Sequence, residues 1–177
     1  MKTKVGILGG GESGVGAALL AQREGYEIFL SDAGKLKEKF RLELDAAGLQ
    51  YEEGGHEKII DFNPAILVKS PGIPSEAEVV QKLIAGGAEL ISEIEFAYRH
   101  TKAYLIGITG SNGKTTTAHL LYHMLQKAGL NVGLAGNVGK SFARQLTEKE
   151  HDYYVIEISS FQLDDVAQMK LPISILL

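Results

Sequence analysis

A glycine-rich turn set between a strand and a helix constrains this chain more than any other part of it. The run is Gly107-Ile108-Thr109-Gly110-Ser111-Asn112-Gly113-Lys114-Thr115-Thr116-Thr117. An apolar strand pattern, 103–108, leads in, and a helix-like stretch, 115–127, leads out. Such a turn points backbone N–H groups inward and aims the positive end of a helix at an anion. Lys114 adds a cation for β- and γ-phosphates, and the Thr115 hydroxyl suits Mg²⁺. The pattern predicts a nucleoside-triphosphate site, most simply for ATP, over Gly110, Ser111, Asn112, Gly113, Lys114, Thr115 and Thr116. The common form of this loop starts with a glycine five positions before its Gly-Lys pair. Here Gly107 stands one position too early and Gly110 two too late, so the loop is a shorter variant.

Composition narrows the setting. The chain has 177 residues, room for one large or two small domains. With 45% hydrophobic and 23% charged residues it is ordinary globular protein. A net charge of -4 with dispersed cations argues against nucleic-acid binding. The absence of cysteine removes disulfides, thiol catalysis and thiolate metal sites. No signal-peptide pattern precedes the first strand, and no apolar run is long enough to span a membrane. A cytoplasmic enzyme is the expectation.

Strand and helix patterns alternate. Strands are expected at 4–9, 27–30, 65–68, 89–91, 103–108, 131–134, 153–158 and 172–177. Helices are expected at 15–24, 35–47, 77–85, 93–99, 115–127 and 140–146, with a helix end over 166–170. This alternation implies parallel sheets with covering helices, an α/β fold. A first unit covers residues 1–92 and a second 93–177. The last segment reads as a buried strand, and the sequence stops within it, which predicts a fragment of a longer protein.

A second glycine loop, Gly9-Gly10-Gly11-Glu12-Ser13-Gly14, lies between the first strand and helix, with Asp32 about twenty residues further on. Its chemistry is a tight turn that lets backbone approach a pyrophosphate, with an acid near the next moiety. NAD and a UDP-sugar both satisfy it. The turn Ser70-Pro71-Gly72-Ile73-Pro74 follows a strand at the carboxyl edge, where open α/β sheets bind ligands. Glu157 ends another strand on the same edge as the triphosphate loop and could hold Mg²⁺ with Thr115. Ser159, Ser160 and Gln162 follow it. His119 and His123, four apart on one helix, have no third ligand and are expected to be ordinary surface or packing residues.

Four segments together carry a resemblance that spans the whole chain. They are Thr109 to Thr116, Gly136-Asn137-Val138-Gly139, Ser70 to Ile73, and the most specific, Glu157-Ile158-Ser159-Ser160-Phe161-Gln162-Leu163. The chain resembles the Mur ligases, and among them the branch that adds D-glutamate. These enzymes activate a carboxylate with ATP and join it to an amine. The resemblance implies a Rossmann-like parallel-sheet N-terminal domain for the UDP substrate, followed by part of a P-loop-type α/β ATP-binding domain. It implies UDP-N-acetylmuramoyl-L-alanine and D-glutamate as substrates, and ATP and Mg²⁺ as cofactors, without nucleic acid or membrane. Gly11, Glu12, Ser13 and Gly14, then Asp32, Ala33 and Gly34, then Ser70, Pro71 and Gly72 match the UDP-substrate contacts. Asn137, Ser159 and Gln162 match residues around the muramoyl and alanyl groups. Lys114 and Glu157 match catalytic positions, and Thr115 and Glu157 match Mg²⁺ ligands. Some relatives carry Thr-Arg after the acid; here Ala33-Gly34 stands there, which leaves Lys35 as the cation in reach. The family's second metal site, with a carbamylated Lys and a His, would fall beyond Leu177, so these residues alone are expected to be inactive.

Two other classes remain open at this level. One is an NAD-dependent oxidoreductase on the first glycine loop, which leaves the triphosphate loop unexplained. The other is a non-catalytic nucleotide-binding module. A folylpolyglutamate synthetase would share the triphosphate loop but has no use for a UDP-binding unit.

Overall fold

The computed structural model describes residues 2–177. The elements alternate as β1 (Lys4–Leu8), α1 (Glu12–Arg23), β2 (Glu27–Asp32), α2 (Glu38–Ala46), β3 (Gln50–Glu53), α3 (Glu57–Phe62), β4 (Ile66–Lys69), α4 (Glu78–Ala85), β5 (Glu89–Ser92) and α5 (Glu93–Tyr98). They continue as β6 (Tyr104–Thr109), α6 (Lys114–Lys127), β7 (Val132–Gly136), α7 (Phe142–Glu148), β8 (Tyr153–Glu157), α8 (Ser160–Leu163) and β9 (Ile173–Leu176). The first five strands form one sheet in the order β3-β2-β1-β4-β5, and the last four form another in the order β7-β8-β6-β9. All the strand pairs are parallel, so each sheet has one carboxyl edge. The order reverses around β1 in the first sheet and around β6 in the second, which places a crevice above each glycine loop.

The strands are short apolar runs because both faces are covered. Val5, Ile7, Leu30 and Val68 join a core with α1 on one face, while Leu8, Phe29 and Leu67 join a core with α3 and α4 on the other. Helix α1 buries Val15, Ala17, Ala18, Leu20 and Ala21, and its small residues bring a second helix close. At Gly16 an added Cβ would lie 2.3 Å from Ser141 Oγ and 3.1 Å from the Arg144 N. That helix is α7, from the second sheet. Arg144 on α7 donates to Glu12 at 2.7 Å and to both Glu43 oxygens, and only 8% of its side chain is exposed. Helix α5 is buried between the two sheets, and the Glu93 carboxylate caps the Ala143 N–H at the start of α7.

Four expectations are corrected. The pair β3 and α3 lies where the sequence pattern predicts no element. Gln50-Tyr51-Glu52-Glu53 reads as polar surface, but Glu52 is buried and accepts the Lys58 and Ile59 N–H groups at the start of α3. The first helix begins at Glu12, not 15, so part of the glycine loop is helical, and the second begins at Glu38, not 35. Residues 166–170 are not helical. There the backbone turns so that Ala167, Gln168 and Met169 all donate to one oxygen of the buried Glu95. Finally, β9 is an edge strand rather than a buried one, and Leu176 is 81% exposed.

Two titratable groups generate predictions. Burial pushes the Glu93 carboxyl up to about 7; the Ala143 N–H opposes this, and the Glu12 charge adds a further push upward. The folded chain therefore holds this proton at pH values where the unfolded chain has released it. Below the unfolded value of 4.5 the group contributes nothing, and between 4.5 and about 7 its burial increasingly destabilises the fold. The loss at pH 8 is on the order of 3 kcal/mol. Glu93→Gln keeps the acceptor for Ala143 and removes the charge. Thermal melts should show it more stable than the parent at pH 8 and level with it at pH 4. The second group is the Lys69–Asp165 ion pair, at 2.8 Å with side chains only 3% and 7% exposed. Asp165→Ala strands a buried ammonium and should cost about 3–5 kcal/mol in urea unfolding. The double change Lys69→Met, Asp165→Leu should cost clearly less than that single change.

Candidate functional site

Two mouths open on the carboxyl edges, and a cavity between the sheets adjoins the first of them. The first mouth is a cleft of about 810 Å³ above β1, β2 and β4, lined by Gly9, Gly11, Asp32, Ala33, Ser70 and Gly72 among others. Gly9 has φ +96, and a side chain there would meet Ser70 Oγ at 2.5 Å. Gly14 is also structural, since an added Cβ would sit 1.8 Å from the Gly9 carbonyl oxygen. Gly11, by contrast, faces open space. It caps α1 without any side-chain hydrogen bond, so the first N–H groups of the helix are left for a ligand.

Asp32 serves the loop first, with each of its oxygens accepting one backbone N–H. Gly10 N–H donates to its Oδ2 at 2.6 Å and Gly34 N–H to its Oδ1 at 2.8 Å. The carboxylate ties the glycine loop to the turn after β2 and keeps further lone pairs toward the cleft. Glu12 is also turned away: its carboxylate reaches Arg144 of α7 rather than the cleft. Ser13 sits half-buried in the first turn of α1. Of the residues expected around the UDP moiety, Gly11, Asp32, Ala33, Ser70 and Gly72 share this cleft, while Glu12, Ser13, Gly14 and Gly34 do not line it.

The second mouth is the triphosphate loop. Gly110 has φ +140 and Gly113 φ +80, conformations that side chains resist. Gly113 caps α6 with no side-chain hydrogen bond, and no acid lies in the first turn of that helix. Ser111, Asn112, Thr115 and Thr116 are exposed around it. Lys114 Nζ lies across the loop, 2.5 Å from the Gly110 carbonyl. Beside it, register sets Glu157 at the end of β8, level with Ile108 of β6 and Gly136 of β7. Glu157 is only 2% exposed. Asn137 Nδ2 donates to its Oε1 at 2.9 Å, and its Oε2 is buried with no hydrogen-bond partner among the described residues.

An unpartnered buried carboxylate oxygen is costly unless a cation or donor meets it. A hard divalent cation is a partner of the kind that oxygen lacks, and Thr115 is the second donor expected from the sequence. Among the described residues no group of three or more His, Cys, Asp or Glu gathers to cage a metal. A cation here would have to complete its shell with water and phosphate oxygens, as Mg²⁺ does beside a nucleotide.

The cavity between the sheets, about 570 Å³, is lined by Pro71 and Gly72 from the first sheet and by Asn137 and Ser159 from the second, with Lys69 and Phe161. Gln162 stays outside it. It is buried and closes a reciprocal cap with Ser159, whose N–H and Oγ both lie within 3.0 Å of Gln162 Oε1. Sequence reasoning did not find Lys69 or His56, which lines the first cleft. Lys69 could have been suspected, since a lysine closing an apolar strand run needs a buried acid. The signal for His56 lies in the unread β3–α3 segment. His119 and His123 are exposed on α6, as expected. No helix is long and apolar enough to cross a membrane among the described residues.

The chain is similar to known proteins over both of its sheets. A family model described as the MurD N-terminal domain matches residues 4–79, and one described as the Mur ligase middle domain matches residues 108–176. The UDP-N-acetylmuramoylalanine--D-glutamate ligase of Bacteroides fragilis is 51% identical over 174 residues, which cover 98% of this chain and 39% of that protein. That of Porphyromonas gingivalis is 52% identical over 177 residues, again covering 39% of its length. The chain thus spans about two fifths of the length of the curated relatives it matches. Among solved structures, the UDP-N-acetylmuramate:L-alanyl-gamma-D-glutamyl-meso-diaminopimelate ligase from Neisseria meningitides superposes with a TM-score of 0.60 at 26% identity, over 89% of this chain and 52% of that one. The UDP-N-acetylmuramate-alanine ligase of Thermotoga maritima, at 18% identity and a TM-score of 0.56 over 88% of this chain and 37% of that one, shares the fold.

The two first-loop glycines should part company on substitution. Gly14→Ala forces a methyl into backbone that cannot yield, and should cost more than about 2 kcal/mol. Gly11→Ala should leave stability within about 0.5 kcal/mol of the parent. Urea denaturation of both variants checks the contrast.

Proposed function

The chain belongs to the Mur ligase family, and from that premise we propose that it carries the UDP-substrate and ATP sites of a ligase joining D-glutamate to UDP-N-acetylmuramoyl-L-alanine. The observation that carries this reading is the shared cavity, where Pro71 and Gly72 meet Asn137 and Ser159. A long substrate anchored at the first glycine loop would run through that cavity to the triphosphate loop. The diphosphate would lie on the uncapped start of α1 at Gly11 and the nucleoside beyond it toward Asp32 and Ala33. The muramoyl and alanyl groups would pass Ser70, Pro71 and Gly72 to reach Asn137 and Ser159. Gln162 would act through Ser159, by holding the turn, and Glu12, Ser13, Gly14 and Gly34 by building the loop.

The chemistry is acyl activation. The alanyl carboxylate attacks the γ-phosphorus of ATP, the bond to the β-γ bridging oxygen breaks, and ADP leaves. The D-glutamate amine then adds to the acyl phosphate, loses a proton, and expels inorganic phosphate as the amide forms. Gly110, Ser111, Asn112 and Gly113 offer backbone N–H groups to the phosphates, with Thr116 beside them. Lys114 exchanges its contact with the Gly110 carbonyl for phosphate oxygens and follows the charge as it moves. Mg²⁺, held by Glu157 and Thr115, would neutralise the transferring phosphoryl group. Asn137 keeps Glu157 in place, so that Oε2 stays turned to the cation. Catalysis here is positioning and charge neutralisation. Such a ligase works on soluble precursors in the cytoplasm.

Calorimetric titration tests this reading. UDP-N-acetylmuramoyl-L-alanine and UDP should bind saturably, and NADH should not. Lys114→Ala should weaken ATP binding at least about tenfold and leave UDP binding unchanged. NADH binding without UDP binding would contradict the reading.

A further inference from the structure

One buried relay in the first unit has no part in the scheme above. Ser31, at the end of β2, is fully buried, and its hydroxyl oxygen lies 2.7 Å from His56 Nδ1 and 2.8 Å from Glu52 Oε1. Glu52 is itself buried and accepts the Lys58 and Ile59 N–H groups, one on each oxygen. Among the described residues the one other group within hydrogen-bond distance of the Ser31 hydroxyl is the Gly55 carbonyl, at 3.1 Å.

These contacts fix the direction of every hydrogen. A hydroxyl has one proton to give. Glu52, whose oxygens accept here, and the Gly55 carbonyl can only receive it. The Ser31 oxygen therefore accepts, and His56 donates from Nδ1. In the neutral ring the second nitrogen, Nε2, then carries a bare lone pair. His56 lines the first cleft together with Asp32 and Ala33, and Nε2 has no hydrogen bond within the protein among the described residues. Three elements are thus spent on holding one acceptor at the end of the cleft away from the second sheet.

We infer that His56 reads the base of the bound nucleotide, its Nε2 accepting the imide N–H of a uracil ring, with Ser31 and Glu52 as the positioning residues that lock the tautomer. This rests on the reading of the first cleft as a UDP-substrate site. The base lies at that end because the diphosphate takes the start of α1 and the remainder of the substrate leads toward Asn137. Uracil offers a donor at N3. Cytosine offers a lone pair there, which would face the lone pair of Nε2.

The test is the base preference of the whole chain by calorimetry. UDP should bind at least about tenfold more tightly than CDP or N3-methyl-UDP, both of which lack the N–H. The N3-methyl comparison needs no variant. His56→Asn keeps a donor for Ser31 but has no atom at the Nε2 position. It should melt as the parent does and bind UDP and CDP within about twofold of each other. A side chain that only braced the loop would leave the ratio unchanged. Equal binding of UDP and CDP by the parent, or an undiminished preference in His56→Asn, would overturn the role of His56 while leaving the UDP site intact. Failure of the parent to bind any uridine compound would instead overturn the reading of the cleft and this inference with it.

Discussion

The close approach of α7 to α1 is the contact on which the rest of this structure depends. It is possible because Gly16 has no side chain where Ser141 and Arg144 arrive. Arg144 then crosses to Glu12 and Glu43, and Glu93 caps the facing helix from a third element. With α1 and α7 locked, the two parallel sheets present their carboxyl edges on one side. The cavity between Pro71 and Asn137 exists for that reason. Without this helix contact there would be two nucleotide folds on a string. With it, loops from both sheets line one cavity.

The two glycine loops use one device for different ends. Each opens a helix whose first N–H groups no side chain caps. In α6 the first turn carries no acid, and Lys114 stands over the loop. In α1 the first turn carries Glu12, whose charge would repel a diphosphate. Arg144 draws that carboxylate aside, so the same ion pair that joins the sheets clears the first loop for an anion.

Much of this was legible in the sequence, and the exceptions have physical causes. Both glycine loops, Asp32, Ser70 and Glu157 were readable because they sit at strand ends, where local pattern and chemistry coincide. The segment 50–62 was not, since Glu52 looks like surface until its three donors are seen. His56 was lost with it. The partner of Glu12 was not legible, since that counterion is 132 residues away. Residues 166–170 have a helical composition, but three of their N–H groups serve Glu95 instead. The final apolar run reads as a buried strand, and only the sheet order shows it at an edge.

The central claim is that the two sites form one path, with the alanyl end of the substrate beside the nucleotide's metal. Paramagnetic relaxation measures this directly. With Mn²⁺ and ATP on the chain and UDP-N-acetylmuramoyl-L-alanine bound, the account predicts strong relaxation of the alanyl methyl protons and weak relaxation of the uracil protons. Equal relaxation of the two ends, or the reverse order, would contradict it.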